Sequence, residues 1–266
     1  MYANYEGWEL SVFDISQNYR SYQFQLIKDF IKGKTAEVGP GNGININFYL
    51  NKVESLDLSY KRLNNKVVEL QNNINQLGLP IKIHLGAEVF FLPNLIEIID
   101  NPITTFGNKK YMLIEFMPNY IPEIYKKIFF DLKMAGITPI IAHPERYKPV
   151  QKDINLVLQW LNLGCLIQVD AGSILGGLGN SAKKISEIII KQNWCQIISS
   201  DAHDNKKRNF LLSDALSLAI DWIGNDATFL VNEYPKSILE GKSINIDFNN
   251  NEIKSSFWDS LMINKD

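Results

Sequence analysis

Two apolar, β-branched runs in this chain end in groups that bind metals: Ile140-Ile-Ala-His143, continuing as Pro-Glu-Arg-Tyr147, and Ile197-Ile-Ser-Ser-Asp201-Ala-His203. A buried strand fixes the residue at its C-terminal end while the loop beyond it stays free, which is how α/β barrels build catalytic sites. The chain has three histidines, and two of them, His143 and His203, stand at these strand ends. Two further strand-like runs finish in carboxylates, Gly86-Ala-Glu88 and Leu113-Ile-Glu115. If the strands are parallel, all of these ends lie on one rim. Carboxylates gathered in a low-dielectric pocket repel one another, and a shared divalent cation is the simplest way to hold them ionised together. Carboxylate oxygens mixed with imidazole nitrogens suit zinc, manganese or iron. Read singly, Glu88 and Glu115 could instead pair with lysine or arginine, and each histidine could simply cap its strand by hydrogen bonding. Arg146 and Arg208 fall in loops over the same rim. Their planar forks suit a phosphoryl oxyanion.

The elements that must hold these residues follow from periodicity. Residues 17–32 place tyrosines, phenylalanines and aliphatics at helical spacing, and Gly33 follows as a stop. A strand is predicted at Thr35–Val38, then a turn Gly39-Pro-Gly-Asn-Gly43, a helical piece and a strand Val53–Asp57, which together read as a βαβ unit. A long amphipathic helix is predicted from Tyr60 to Gln76, closed by Gly78 and Pro80. Strands are then predicted at Ile81–Glu88, Tyr111–Phe116, Thr138–Ala142, Leu166–Val169, Gln196–Ser199 and Thr228–Val231. Helices are predicted at Pro93–Ile99, Ile121–Ala135, Ile154–Leu163, Ser181–Asn193 and Lys206–Ile223. Alternation of this kind argues for an α/β fold with a parallel sheet, and a closed barrel suits the number of units.

A length of 266 residues allows one large α/β domain or two small ones. A hydrophobic share of 45%, a charged share of 21% and a net charge of -2 describe a globular protein with no electrostatic footprint for nucleic acid. No run is long enough to span a bilayer and the first residues lack the pattern of a secretory signal, so a cytoplasmic location is expected. Cys165 and Cys195 lie in apolar settings and read as core residues. His84 lies within a predicted strand and reads as a packing residue.

His143-Pro-Glu-Arg-Tyr147, Gln168-Val-Asp-Ala-Gly-Ser-Ile-Leu-Gly-Gly-Leu-Gly179 and Ser200-Asp-Ala-His203 occur together with Leu85-Gly-Ala-Glu-Val89 and Leu113-Ile-Glu-Phe116. In this order and spacing they resemble the capsule-type bacterial tyrosine phosphatases of the polymerase-and-histidinol-phosphatase (PHP) superfamily, over about residues 66–242. The resemblance implies a distorted (β/α)7 TIM-like barrel with a cluster of divalent metals, manganese first among them. It implies a phosphatase acting on phosphotyrosine in proteins, such as a bacterial tyrosine autokinase that controls capsule or exopolysaccharide export. Carried over by position, it makes Glu88, Glu115, His143, Asp201 and His203 metal ligands and Arg146 and Arg208 phosphate-gripping residues. In the implied reaction the metals polarise the phosphoryl group and supply hydroxide for in-line attack.

The family also carries a His-x-His on its first strand and another histidine before the Gly-Ala-Glu motif, and this chain has neither. In their place, Thr35-Ala-Glu-Val-Gly-Pro-Gly-Asn-Gly43 followed by Val53-Glu-Ser-Leu-Asp57 is similar to the opening βαβ of S-adenosylmethionine-dependent methyltransferases, over about residues 10–62. The expected organisation is therefore a Rossmann-like segment at 1–62 replacing the first barrel units, a phosphatase-like barrel at 63–245 and a tail at 246–266. A metal-dependent phosphatase, weakened by the lost ligands, is the leading expectation. A non-catalytic phosphotyrosine-binding barrel is the alternative, and a methyltransferase is a third.

Overall fold

A computed structural model describes residues 60–253, apart from 204, 205, 207 and 246, together with two strand segments at 33–35 and 53–56. The chain divides into two compact units, Met1–Gly86 and Ala87–Asp266.

In the first unit, β1 (Gly33–Thr35) and β2 (Val53–Leu56) pair in parallel, with Gly33 opposite Val53 and Thr35 opposite Leu56. Parallel neighbours need a crossover connection; of the strand predicted at Thr35–Val38 only Thr35 falls in β1, and the rest of it lies outside the described residues. The predicted helix at 17–32, the glycine turn at 39–43 and Asp57 lie outside the described residues. Helix α1 spans Tyr60–Gln76, the span that periodicity predicts, and Gly78 ends it with a left-handed φ of 67°.

The strand predicted at Ile81–Glu88 forms only at its last residue, because 81–87 is irregular. The side chain of Gln71 takes up that backbone instead: Nε2 donates to the Ile81 carbonyl at 2.9 Å, and Oε1 accepts from the Ile83 N–H at 2.8 Å. His84 is consequently exposed rather than packed.

The second unit is built on five parallel strands in sequence order: β3 (Glu88–Phe90), β4 (Tyr111–Glu115), β5 (Thr138–Ala142), β6 (Leu166–Asp170) and β7 (Ile197–Ser199). Between them run α2 (Tyr125–Met134), α3 (Lys148–Lys152), α4 (Asn155–Asn162), α5 (Ala171–Ile174) and α6 (Asn180–Lys191), and α7 (Leu212–Ile223) and α8 (Glu233–Leu239) follow β7. The architecture is α/β with a parallel sheet. No helix of the described residues is long and apolar enough to cross a membrane.

The two faces of the sheet bury different clusters, as a period of two requires. One face presents Met112, Ile114, Ile141, Ile167, Val169 and Ile198 to the helices, joined by Ile128, Phe129 and Leu132 of α2 and Ile185, Ile189 and Ile190 of α6. Those helical positions recur at three- and four-residue spacing, which is why each helix lies with one stripe on the sheet. The opposite face carries a smaller cluster of Tyr111, Ile140, Leu166 and Ile197, closed by Ile238 of α8. Residues i+2 share a face, so the small-cluster side is also the side on which Glu115 and Asp170 lie, at the C-terminal ends of β4 and β6.

Some local expectations are corrected. Thr228–Val231 is not a strand: Gly224–Leu230 forms a 3-10 helix, and the Thr228 hydroxyl donates to the Asn225 carbonyl at 2.8 Å. Pro93–Ile99 shortens to a 3-10 turn at Leu95–Ile98. Helix α7 begins at Leu212 rather than Lys206. Helices α3, α5 and α8 are too short for periodicity to mark. Cys165 and Cys195 are buried free thiols whose pKa values burial pushes up, as core cysteines should be.

Candidate functional site

Glu88, the first residue of β3, Glu115, the last of β4, and His143, just past β5, come together, with one donor atom from each lying within 4.8 Å of the others. In the parallel register Glu88 stands opposite Leu113, so Glu88 and Glu115 point to the same side of the sheet. His143 Nε2 lies 2.9 Å from Glu88 Oε1 and 3.4 Å from Glu115 Oε1. The imidazole is 2% exposed, whereas the two carboxylates are 30% and 33% exposed. The group is thus anchored from below and open on one side.

His143 takes a left-handed conformation, φ 31° and ψ 56°, and opens a 3-10 turn over Pro144–Arg146. Left-handed backbone costs a non-glycine residue about 1 kcal/mol, and such strain collects where a side chain must be aimed. Asp201, just beyond β7, has φ 43° and belongs to the same class.

The turn after His143 is pinned from inside. Glu145 is fully buried, and its Oε1 accepts from the Asp170 N–H at 3.1 Å, tying the turn to the end of β6. Burial raises the Glu145 pKa to about 7, with Ser173 and His143 beside it pulling the other way. Asp170 caps α5 by accepting from the Gly172 N–H at 2.7 Å. Burial raises its pKa, against the effect of that N–H. Tyr147, also buried, donates from its hydroxyl to the Ala142 carbonyl at 2.7 Å and accepts from the Phe116 N–H at 2.9 Å.

Arg146 swings to the other end of the rim. Its Nη1 donates to Asp201 Oδ2 at 2.9 Å and lies 3.6 Å from Asp170 Oδ2. Arg208 donates to the same Asp201 oxygen. His203 is half exposed, with Nδ1 2.8 Å from the Asp201 carbonyl. With Nδ1 as the donor, Nε2 is left as the lone-pair nitrogen. The expected ligands therefore fall into two groups, Glu88 with Glu115 and His143, and Asp201 with His203 beside both arginines.

The first group is short of positive charge. Burial raises the Glu115 pKa and the nearby Glu88 raises it further, with His143 and Arg146 opposing. Burial lowers the His143 pKa, but the hydrogen bond to Glu88, with the charges of Glu145 and Glu88, outweighs it and leaves the imidazole more basic than usual. Two carboxylates and one imidazole, open on one side, fit a divalent cation of the manganese, zinc or iron type. Asp170, Glu145 and Tyr147 were given no role by the sequence reading, although Asp170 ends a strand just as Glu115 does.

A sequence model of the family described as capsular polysaccharide synthesis, CpsB/CapC, matches residues 50–240. The chain is similar to CapC of Staphylococcus aureus, 36% identical over 165 residues that make up 62% of this chain and 64% of the relative. It is similar to tyrosine-protein phosphatase YwqE of Bacillus subtilis (strain 168), 26% identical over 66% of this chain and 70% of the relative. It also resembles tyrosine-protein phosphatase CpsB of Streptococcus agalactiae, 27% identical over 62% of this chain and 70% of the relative. The chain thus spans just under two thirds of the S. aureus relative. A crystal structure from a study of YwqE of B. subtilis and CpsB of Streptococcus pneumoniae, described as metal-dependent tyrosine phosphatases, superposes with a TM-score of 0.67. That match is 25% identical and covers 72% of this chain and 78% of the other.

Proposed function

The chain belongs to the CpsB/CapC family of capsular polysaccharide synthesis proteins, and from that premise we propose that it is a metal-dependent phosphatase acting on phosphotyrosine in proteins. The observation that carries this reading is the convergence of Glu88, Glu115 and His143 on one point of the rim. These three would hold a divalent cation, manganese by preference, and the Asp201 and His203 side chains at the end of β7 would serve a neighbouring position. A cation bound there supplies Lewis-acid polarisation of a phosphoryl oxygen and a water nucleophile at neutral pH.

The chain's own groups account for the rest. Arg146 and Arg208 approach the rim from two loops and offer several N–H donors to phosphoryl oxygens. Asp201 holds both guanidinium groups in place before substrate arrives, so little reorganisation remains at the moment of reaction. The buried His143 ring and the Glu145 anchor keep the turn between them rigid.

The fold reading that goes with this is a distorted (β/α)7 barrel of the PHP type at 63–245, with the segment 1–62 in place of its first units and 246–266 as a tail. Its support is the sequential parallel order of β3–β7 and the parallel pairing of β1 with β2. The substrate class follows from the relatives named tyrosine-protein phosphatase, and a tyrosine autokinase of the capsule machinery, met in the cytoplasm, is the partner of choice.

Metal analysis of the purified chain, with turnover of p-nitrophenyl phosphate in added Mn²⁺, tests the proposal. Metal-dependent turnover is expected, and a protein that neither binds metal nor turns over substrate contradicts it. The second reading, binding without catalysis, is favoured by the lack of any histidine before His84 in this chain. It predicts phosphotyrosine-peptide binding with no hydrolysis.

A further inference from the structure

The paired ladder between β4 and β5 stops short of the metal-binding residues. Its last matched residues are Ile114 and Ile141, one step before Glu115 and Ala142. On the other side, β4 stays tied to β3 one step further, because the Phe91 N–H donates to the Glu115 carbonyl at 2.8 Å. Beyond Ala142 the backbone turns left-handed at His143 and leaves the sheet. The β4 and β5 chains therefore separate at the level where Glu115 and His143 must approach each other.

One oxygen spans the gap. The Tyr147 hydroxyl donates to the carbonyl of Ala142, the residue before His143, and accepts from the N–H of Phe116, the residue after Glu115. Its ring cannot drift, since it is 1% exposed and stands edge-on to Phe116 at 6.0 Å and to His143 at 5.7 Å. Phe116 is stacked in turn on Phe91 at 4.8 Å and on Trp160 at 5.6 Å. Without the phenol, a buried backbone donor and a buried acceptor would lose the partner that joins the two strand ends.

We propose that the Tyr147 hydroxyl is a positioning group that sets the spacing of Glu115 and His143 and thereby the affinity of the site for its cation. The proposal rests on the metal reading above and adds a residue that touches neither cation nor substrate. Groups that orient metal ligands without binding the metal contribute about 10- to 100-fold in affinity.

Tyr147→Phe keeps the ring and removes the oxygen. With Mn²⁺ titrated calorimetrically into the full chain well below its melting temperature, the variant should bind at least about ten-fold more weakly than the unsubstituted protein. Ile189→Val, a truncation in the core under α6, should lower the melting temperature and leave Mn²⁺ affinity unchanged. Linkage supplies a second readout that needs no variant. If the clamp favours metal, then metal favours the clamp by the same factor, so saturating Zn²⁺ should slow hydrogen exchange at the Phe116 amide about ten-fold. Unchanged Mn²⁺ affinity in Tyr147→Phe, or equal weakening in Ile189→Val, overturns the clamp and leaves the metal site standing. Exchange at Phe116 that ignores the metal overturns it too. An unsubstituted protein that binds no Mn²⁺ overturns the metal reading and the clamp together.

Discussion

The two ends of the rim differ in how their charges are balanced. Around Glu88, Glu115 and His143 two carboxylates share one imidazole, whereas beyond β7 one carboxylate, Asp201, is shared by two guanidinium groups. The first arrangement lacks positive charge, whereas at the second Asp170 also lies 3.6 Å from Arg146 and helps to balance the guanidinium groups. Side by side on one rim they suit the two halves of a phosphate ester reaction, a cation at one end and a grip for oxyanions at the other. The turn at Pro144–Arg146 joins them, because it begins at His143 and ends at Arg146. Precision at the first end comes from buried groups, and at the second from an ion pair that is 12% exposed on the Asp201 side.

The most severe way to break the contrast is His143→Ala. It leaves two partly exposed carboxylates with no imidazole, and both metal binding by calorimetry and metal-dependent turnover should fall to background. Arg146→Lys acts at the other end. The cation should still bind normally, while turnover of a phosphotyrosine peptide drops about 100- to 1000-fold, because a point charge replaces a planar fork.

The joining turn gives a pH prediction. The folded chain holds a proton on Glu145 up to about pH 7, whereas the unfolded chain releases it near the ordinary glutamate value. Its stabilising effect is therefore complete below about pH 4.5, is lost as pH rises through about 7, and is constant above that. In metal-free protein the slope amounts to up to about 3 kcal/mol, and Glu145→Gln should abolish it in urea titrations at pH 5 and 8. The mildest change is Asp201→Asn. If Asp201 acts mainly by holding the arginines, kcat/KM falls about ten-fold and Mn²⁺ affinity stays put. Loss of Mn²⁺ binding in that variant would move Asp201 to the metal-binding end.

The strands that end at Glu115, His143 and Asp201 were legible because buried parallel strands are continuous β-branched runs, and the abrupt change to ionisable residues marks where each meets the rim. The failure at Ile81–Glu88 has the same origin. Ile81, Ile83 and Leu85 alternate as a strand should, yet the Ile81 carbonyl and the Ile83 N–H bond to the side chain of Gln71, a partner that periodicity does not reveal. Thr228–Val231 misled through β-branched composition in a segment that continues from α7 as a tight helix. The candidate ligands could be read one by one, but their division into two groups could not. It depends on Arg146 reaching across the rim to Asp201, a contact between residues far apart in the chain. Glu145 and Tyr147 were hidden for a related reason, since the hydrogen bonds that tie them to Asp170, Phe116 and Ala142 are made by backbone groups of those residues.

The most direct test is anomalous diffraction from crystals of the unsubstituted chain soaked in Mn²⁺. A strong peak about 2 Å from a carboxylate oxygen of Glu88, one of Glu115 and Nε2 of His143 is the expected result. No peak at that position at saturating Mn²⁺ would contradict the account.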